Sequence, residues 1–188
     1  MSSFGITHKM SSLGLSTSFI EKALIAGFAV SASLLAGAHI FQALGYEPCD
    51  LCLDQREAHW TALAITAVGL VVSRGFKAPL LAAAAVGTAA LVYGFGAMLA
   101  FYHTGVEFHF WPGPASCSAS KTITDIGGLS GGLDGSKPRV SCDQTGWAFF
   151  GVTMAGYNML FSAGLFALTT LATAGALRTA RVKGRMVQ

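Results

Sequence analysis

The chain has 188 residues, 53% of them hydrophobic and only 11% charged, with a formal net charge of +3. Soluble domains carry about 25% charged residues, so this composition, with a mean hydropathy of +0.56, excludes an ordinary soluble domain and points to a membrane protein. No basic stripe with interleaved aromatics argues for nucleic acid.

The first apolar run covers residues 23–44. A bilayer core about 30 Å thick takes about 20 helical residues to cross, and this run is long enough. A signal peptide cut after "AGA" (residues 36–38) is the competing reading. The run exceeds the usual apolar region of a signal and continues past that site, so it reads as an uncleaved span. A short acidic connection follows, residues 45–56. The second run, about 59–72, is short and must borrow residues 53–58 to cross. It is counted as a span because three spans would put the termini on opposite sides. Residues 73–79, "SRGFKAP", form a short basic connection. The third run covers 80–102. A long polar segment, 103–146, is rich in Gly, Pro and Ser. The fourth run covers 147–177. No internal repeat or second soluble domain is visible.

The charges sort by connection. Lys9, Lys22, Arg74, Lys77, Arg178, Arg181, Lys183 and Arg185, eight of the twelve basic residues, lie on the N-terminal segment, the middle connection and the C-terminus. Eight of the nine acids lie on the other two connections, with Glu21 the exception. Lys and Arg mark the cytoplasmic side. The expected architecture is an all-α membrane protein: a four-transmembrane-helix bundle over 19–177, outer loops at about 45–56 and 103–146, a cytoplasmic tail at 1–18 and a basic cytoplasmic tail at 178–188. Small residues should mark helix contacts: Gly27 with Ser31 and Ser33 with Gly37 on the first span, Gly94 on the third, and Gly151, Ala155 and Gly164 on the fourth. Asn158, inside the fourth span, is expected to hydrogen-bond between helices.

All four cysteines fall on the outer side. Cys49 and Cys52 form a C-x-x-C within "PCDLCLDQR"; Cys117 and Cys142 have 24 residues between them. Haem attachment needs C-x-x-C-H, and residue 53 is Leu. A structural zinc site usually shows two close pairs, and there is no second one, so no metal site is assigned. An even count on an oxidising face suggests disulfides. Four cysteines allow three pairings; adjacency favours Cys49–Cys52 with Cys117–Cys142, and the sequence leaves the pairing open. A bond across two intervening residues closes a tiny loop with little entropic gain, which suits labile, catalytic disulfides better than bracing ones.

If a helix starts near Cys49, then Cys49, Cys52, Arg56 and His59 share one face by 3-4-3 spacing. A cation beside Cys52 favours its thiolate, the nucleophilic form. The guanidinium can also donate to an oxygen that gains negative charge, such as a quinone carbonyl under reduction. The plainer reading has Arg56 snorkelling to lipid phosphate or pairing with Asp54 or Glu57; the adjacent thiols favour the functional one. Asp50 opposes a thiolate, and Glu57 weakens the guanidinium's field. Between Cys117 and Cys142, Gly127, Gly128, Gly131, Gly132 and Gly135 keep the backbone permissive, as a tether or as an ordinary loop stapled at its base.

"PCDLCLDQR", "YHTGVEFHFWPGPASC" (residues 102–117) and "SCDQTGWAFFGVTMAGYN" (residues 141–158) resemble the DsbB family, the inner-membrane disulfide bond formation proteins that reoxidise periplasmic DsbA. The likeness runs from about residue 20 to 175. The other four-helix thiol–quinone family, the vitamin K epoxide reductase type, puts its wide cysteine pair before its C-x-x-C, so the order here counts against it. The resemblance implies periplasmic outer loops, cytoplasmic termini and a thiol:quinone oxidoreductase. It implies that a DsbA-like, thioredoxin-fold partner attacks Cys117, that Cys142 bridges transiently to Cys49, and that Cys52 faces the quinone beside Arg56. It also implies a quinone role for His103. Ubiquinone ranks ahead of menaquinone. His39, His59 and His109 receive only structural roles. Two rival classes stand beside this reading. One is a non-catalytic membrane protein with bracing disulfides. The other is a quinone-independent thiol carrier, which would want cysteines in the spans or on the cytoplasmic side.

Overall fold

The structure, a computed structural model, describes residues 3–117 and 140–185. Four long helices dominate it: α1 (Ser3–Ala43), α2 (Asp50–Arg74), α3 (Pro79–Glu107) and α4 (Met154–Arg185). The glycine-rich stretch 127–135 lies outside the described residues. α1, α3 and α4 each contain a stretch long and apolar enough to cross a membrane: Ser18–Ala43, Pro79–Glu107 and Met154–Val182. α2 has 25 residues, enough length, but Asp54, Arg56, Glu57 and His59 in its first turns keep it from that standard.

Neighbouring helices run antiparallel in a ring. Glu21 of α1 meets Arg74 of α2 at 2.6 Å. Gly69 of α2 lies against Ala85 of α3, and Gly94 of α3 against the Phe166 ring of α4. α4 closes the ring onto α1. Three apolar clusters stack along the axis. Ile20, Leu24, Val86 and Ala172 fill one end; Ala62, Ala89, Tyr93 and Leu165 fill the middle. Cys49, Leu51, Val106, Cys117 and Cys142 fill the other end. Outward-facing Leu91, Phe95, Met98, Leu160 and Leu171 stay exposed, the surface expected of helices solvated by lipid. The ion pair with Arg74 explains the one acid on the basic end: Glu21 is neutralised there.

Both helix exits at the cysteine end use the same device. After α1, Gly45 at φ 98 lets its N–H reach Gln42 O at 3.0 Å while Tyr46 N–H reaches Phe41 O at 3.1 Å. This is a Schellman stop. After α3, His109 takes the left-handed position at φ 60, with Phe110 N–H on Gly105 O at 2.8 Å. His109 thus caps a helix, in line with its structural assignment. At the far end, Pro79 opens α3 at a position that needs no N–H.

Several sequence expectations change. The fourth apolar run is not helical from residue 147. Ala148–Phe149 (β1) pairs antiparallel with Val152–Thr153 (β2), and Phe150 and Gly151, both at positive φ, form the two-residue turn that matches strand twist. Gly151 is therefore a turn residue, not a helix contact. Ser33 bonds back to Ala29 O of its own helix. A Cβ on Gly37 or Gly164 would meet nothing within 4 Å, so neither marks a close approach. Gly27 does: a Cβ there would sit 2.9 Å from the Tyr93 hydroxyl. Ser31, Gly94 and Ala155 also lie at helix contacts.

Gly105 has the tightest requirement. A Cβ would lie 2.0 Å from the Trp111 ring, which folds back on α3 and donates Nε1–H to Tyr102 O at 2.8 Å. Gly105→Ala should displace Trp111 and cost about 1–3 kcal/mol, the usual range for overpacking. Tryptophan emission should shift red and the thermal midpoint fall, while Gly164→Ala changes neither.

Candidate functional site

Pro48 leads the chain in extended form to Cys49, which caps α2. Its Sγ accepts the Cys52 N–H at 3.2 Å. One helical turn then places Cys52 over Cys49, with the two Sγ atoms in contact. The contact with Cys52 pushes the Cys49 thiol up, with burial adding to the rise. The contact with Cys49 lowers Cys52, against the opposing effects of its burial and of Glu107. Arg56 contributes only the smallest part of that lowering. The nucleophilic sulfur is Cys52, but its sister thiol does most of what the sequence assigned to arginine.

Cys117 and Cys142 form a disulfide. A 3-10 turn, Ala115–Cys117, sets the first sulfur. Cys142 N–H donates to Cys117 O at 3.3 Å, and Ser141 Oγ donates to the same carbonyl at 2.9 Å. Trp111 packs against this cluster. The sulfurs of Cys49 and Cys142 and a ring nitrogen of His103 all lie within 4.8 Å of one another. Such a donor set also suits a thiophilic metal, but one sulfur is committed to the disulfide. The spacing instead suits exchange between the two cysteine pairs.

Below the thiols runs a chain of buried polar groups. His103 Nε2 lies 3.5 Å from Cys49 Sγ, and its Nδ1 lies 2.7 Å from Gln55 Nε2. Asn158 Nδ2–H donates to Gln55 Oε1 at 2.5 Å. Asn158 Oδ1 is 2.6 Å from His59 Nε2. His59 Nδ1 lies 3.3 Å from Ser31 Oγ, which lies 2.9 Å from Tyr93 Oη. Asn158 thus bonds across the bundle, as expected. His59, assigned a merely structural place, occupies the middle of this chain. His39 fits its plain reading, bonding to Leu35 O one turn back.

A cavity of about 370 Å³ opens beside the thiols. α1 supplies Leu34, Ala38 and Phe41; α2 supplies Cys52 and Arg56; Trp147 and Tyr157 close the far wall. Arg56 donates Nη1–H to Gln42 Oε1 at 2.6 Å and Nη2–H to Ala38 O at 3.1 Å. Among the described residues no ion pair joins it to Asp54 or Glu57. Its guanidinium instead ties α2 to α1 at the cavity wall.

The face read from the sequence is therefore shifted by one residue. The buried stripe of α2 carries Leu51, Gln55, His59, Ala62, Thr66 and Gly69; Arg56 sits on its flank. Gln55 was missed, although 52-55-59 is helical spacing as good as 52-56-59. Glu107 was also missed. It lies one turn beyond His103, lines the cavity, and accepts from Thr153 Oγ1 at 2.5 Å. The i, i+4 spacing of His103 and Glu107 was the available signal.

The opposite shifts of the two sulfurs give a pH signature. A lowered Cys52 is thiolate at pH values where an ordinary thiol stays protonated, so alkylation near neutrality should mark Cys52 and spare Cys49. Cys49→Ala removes the contact that lowers Cys52 and should move the Cys52 profile towards higher pH. Peptide mapping of iodoacetamide-treated protein across pH 6–10 checks both.

The family model for disulfide bond formation protein DsbB matches residues 21–172. Searches of curated proteins and of solved structures returned no significant match. The matched span contains all four cysteines, the polar chain and every helix wall of the cavity, and the chain belongs to the DsbB family of disulfide-forming membrane oxidoreductases.

Proposed function

We propose that this protein is a thiol:quinone oxidoreductase that reoxidises a periplasmic DsbA-like dithiol. The observation that carries the reading is the meeting of both cysteine pairs: Cys49 and Cys142 sulfurs within 4.8 Å, with Cys52 opening onto a cavity among apolar helices.

The oxidised Cys117–Cys142 pair is the face for the partner. A partner thiolate attacks Cys117 Sγ and releases Cys142 as thiolate. Cys142 then attacks Cys49 Sγ of an oxidised Cys49–Cys52 pair, and Cys52 leaves as thiolate. The second partner thiol closes the partner's own disulfide and frees Cys117. Cys117 then attacks Cys142 Sγ of the Cys142–Cys49 bridge, which restores the Cys117–Cys142 disulfide and leaves Cys49 and Cys52 as thiols. Two electrons have passed inward to Cys49 and Cys52.

The residues present fit a quinone. The cavity volume lies in the range of small-molecule pockets, about 300–1,000 Å³, and its wall surface is largely apolar, with polar groups such as Gln55, Arg56, His103 and Glu107 set into it. Leu34, Phe41 and Trp147 would hold the ring, and Arg56 would offer a charged donor to a carbonyl oxygen. Bound quinone supplies the terminal acceptor for two electrons and two protons. The chain's own part is to keep Cys52 ionised at the cavity wall, to hold the Cys49 proton within reach of His103, and to exclude water with Trp147 and Tyr157.

Membrane placement follows the charges. The end bearing Arg74, Lys77, Arg178 and Arg181 is assigned to the cytoplasm of the inner membrane, with both termini. The cysteine end is assigned to the periplasm. α2 serves as the fourth span, its polar side turned inward to the buried chain. The membrane domain is 19–177, flanked by tails at 1–18 and 178–188.

The test is turnover by detergent-purified protein with reduced DsbA-like partner and ubiquinone, followed by quinone absorbance. Consumption should require both partner and protein, and vanish in Cys52→Ser and in Cys117→Ser. Arg56→Ala should raise the quinone KM about tenfold or more, the scale of one charged hydrogen bond. Partner oxidised once per protein with ubiquinone untouched would shift the acceptor to menaquinone. No partner oxidation at all would leave the disulfides structural and defeat the reading.

A further inference from the structure

We propose that Gln55 and Asn158 are positioning residues whose two amides decide which nitrogen of His103 carries the proton facing Cys49, so that this histidine can take the Cys49 proton as the pair is oxidised. The proposal rests on the reading of Cys49 and Cys52 as a working dithiol.

The argument starts from Cys49. Closing the Cys49–Cys52 bond requires both sulfurs to lose their protons, and Cys49 is the one whose thiol is pushed up, by its contact with Cys52 and by burial. A buried thiol needs a nearby base. His103 Nε2, at 3.5 Å, is in place. It is a base only when its proton sits on Nδ1, which lies 2.7 Å from the Gln55 amide; the ring also bonds to the Cys142 backbone, so the amide has to outweigh that contact for Nε2 to be free.

An amide presents oxygen or nitrogen at the same two positions after a half-turn. The chain is therefore satisfied in two directions. In one, His59 Nε2–H donates to Asn158 Oδ1, Asn158 to Gln55 Oε1, Gln55 Nε2–H to His103 Nδ1, and His103 Nε2–H to Cys49 Sγ. In the other, both amides turn. His103 Nδ1–H then donates to Gln55 Oε1, Gln55 to Asn158 Oδ1, Asn158 to His59 Nε2, and His59 Nδ1–H to Ser31 Oγ.

At the deep end, the Ser31 and Tyr93 hydroxyls rotate to suit either direction, with Gly27 O as a final acceptor at 2.9 Å. In the first direction no buried side-chain nitrogen or oxygen among the described residues lacks a partner, and the Ser162 hydroxyl, 3.3 Å from Asn158 Oδ1 and 3.5 Å from His59 Nε2, can rotate to suit the turned amides, which limits the cost of an orphan in the other.

The proton step is then balanced. The Cys49 S–H bond breaks and an N–H bond forms at Nε2; no electrons move. The imidazolium has both protons satisfied, one by the Cys49 sulfur and one by Gln55 Oε1. In the reverse direction the proton returns to sulfur. A purely structural network would hold one direction only.

Two measurements test this, and neither uses partner or quinone, so the relay and the proposed turnover can fail separately. The first follows Cys49 alkylation by iodoacetamide in the full chain carrying Cys52→Ser, Cys117→Ser and Cys142→Ser. Loss of a positioned base costs typically 10²-fold or more in full catalysis; for simple alkylation a drop of about tenfold is expected in His103→Ala and in Gln55→Met. The double variant should be no slower than His103→Ala alone, because both act through one group. Gln55→Glu, which still accepts from Nδ1–H, should stay within about threefold of the parent. Multiplying losses, or an unchanged Gln55→Met, overturns the proposal. The second needs no substitution in the chain: the ring-nitrogen NMR shifts of His103. The two nitrogens should exchange protonation between the dithiol and disulfide forms of the Cys49–Cys52 pair. One unchanged tautomer in both forms overturns the proposal.

Discussion

The contact between the Gln55 amide and the His103 imidazole is the joint on which the outer half of the bundle depends. An apolar bundle tolerates polar groups at its centre only when every one finds a partner, because there is no water to supply a substitute. Gln55 and His103 come from α2 and α3; Asn158 brings in α4, and Ser31 brings in α1. One continuous set of bonds therefore ties all four helices together between the thiols and the middle of the bundle. Among the described residues no buried side-chain nitrogen or oxygen lacks a partner. Breaking the joint would strand two groups at once, which is why a closed network specifies one arrangement of helices more sharply than apolar packing does.

The same requirement explains why α2 is the least apolar of the four helices. It carries the C-x-x-C at its start, the arginine at the cavity wall and three buried polar side chains, Gln55, His59 and Thr66. Thr66 satisfies itself on Ala62 O at 2.8 Å; the other two need the neighbours. α2 is therefore held by its partners, and its polarity is the cost of placing chemistry at the rim of a membrane domain.

Much of the architecture was legible because it follows from composition and order. Four helices and the grouping of charges at two ends follow from runs and spacing along the chain; adjacency only favoured the pairing of Cys117 with Cys142, which the structure supplies. The basic end reads correctly even at Glu21, whose presence is explained by Arg74. What escaped depends on contacts distant in sequence or on one-residue choices of helix face. Residues 55 and 56 both continue a stripe begun at 52, and a cation beside a thiol drew the reading to Arg56. Only packing against His103, 48 residues away, selects Gln55. The Ala148–Thr153 hairpin hid because its aromatic residues look like the start of a span; its turn uses Phe150 in a conformation that bulky side chains rarely adopt. Gly37 and Gly164 show the limit of small-residue rules, since a missing side chain is informative only where another helix arrives.

The two sulfurs of the C-x-x-C are neighbours with different surroundings, and that asymmetry gives direction to the site. Cys49 is buried at 4% exposure, lies beside Cys142 and His103, and its thiol is pushed up. Cys52 is more open, lines the cavity, and its thiol is lowered. Disulfide exchange needs an attackable sulfur near the incoming thiolate, and Cys49 offers that position. Electron delivery needs the electron-rich sulfur on the side of the acceptor, and Cys52 offers that one. If both sulfurs shared one environment, a thiolate would form at either, and half of the events would place charge away from the cavity. A single helical turn, capped by one sulfur and crossed by the other, separates the two tasks by less than the width of a side chain.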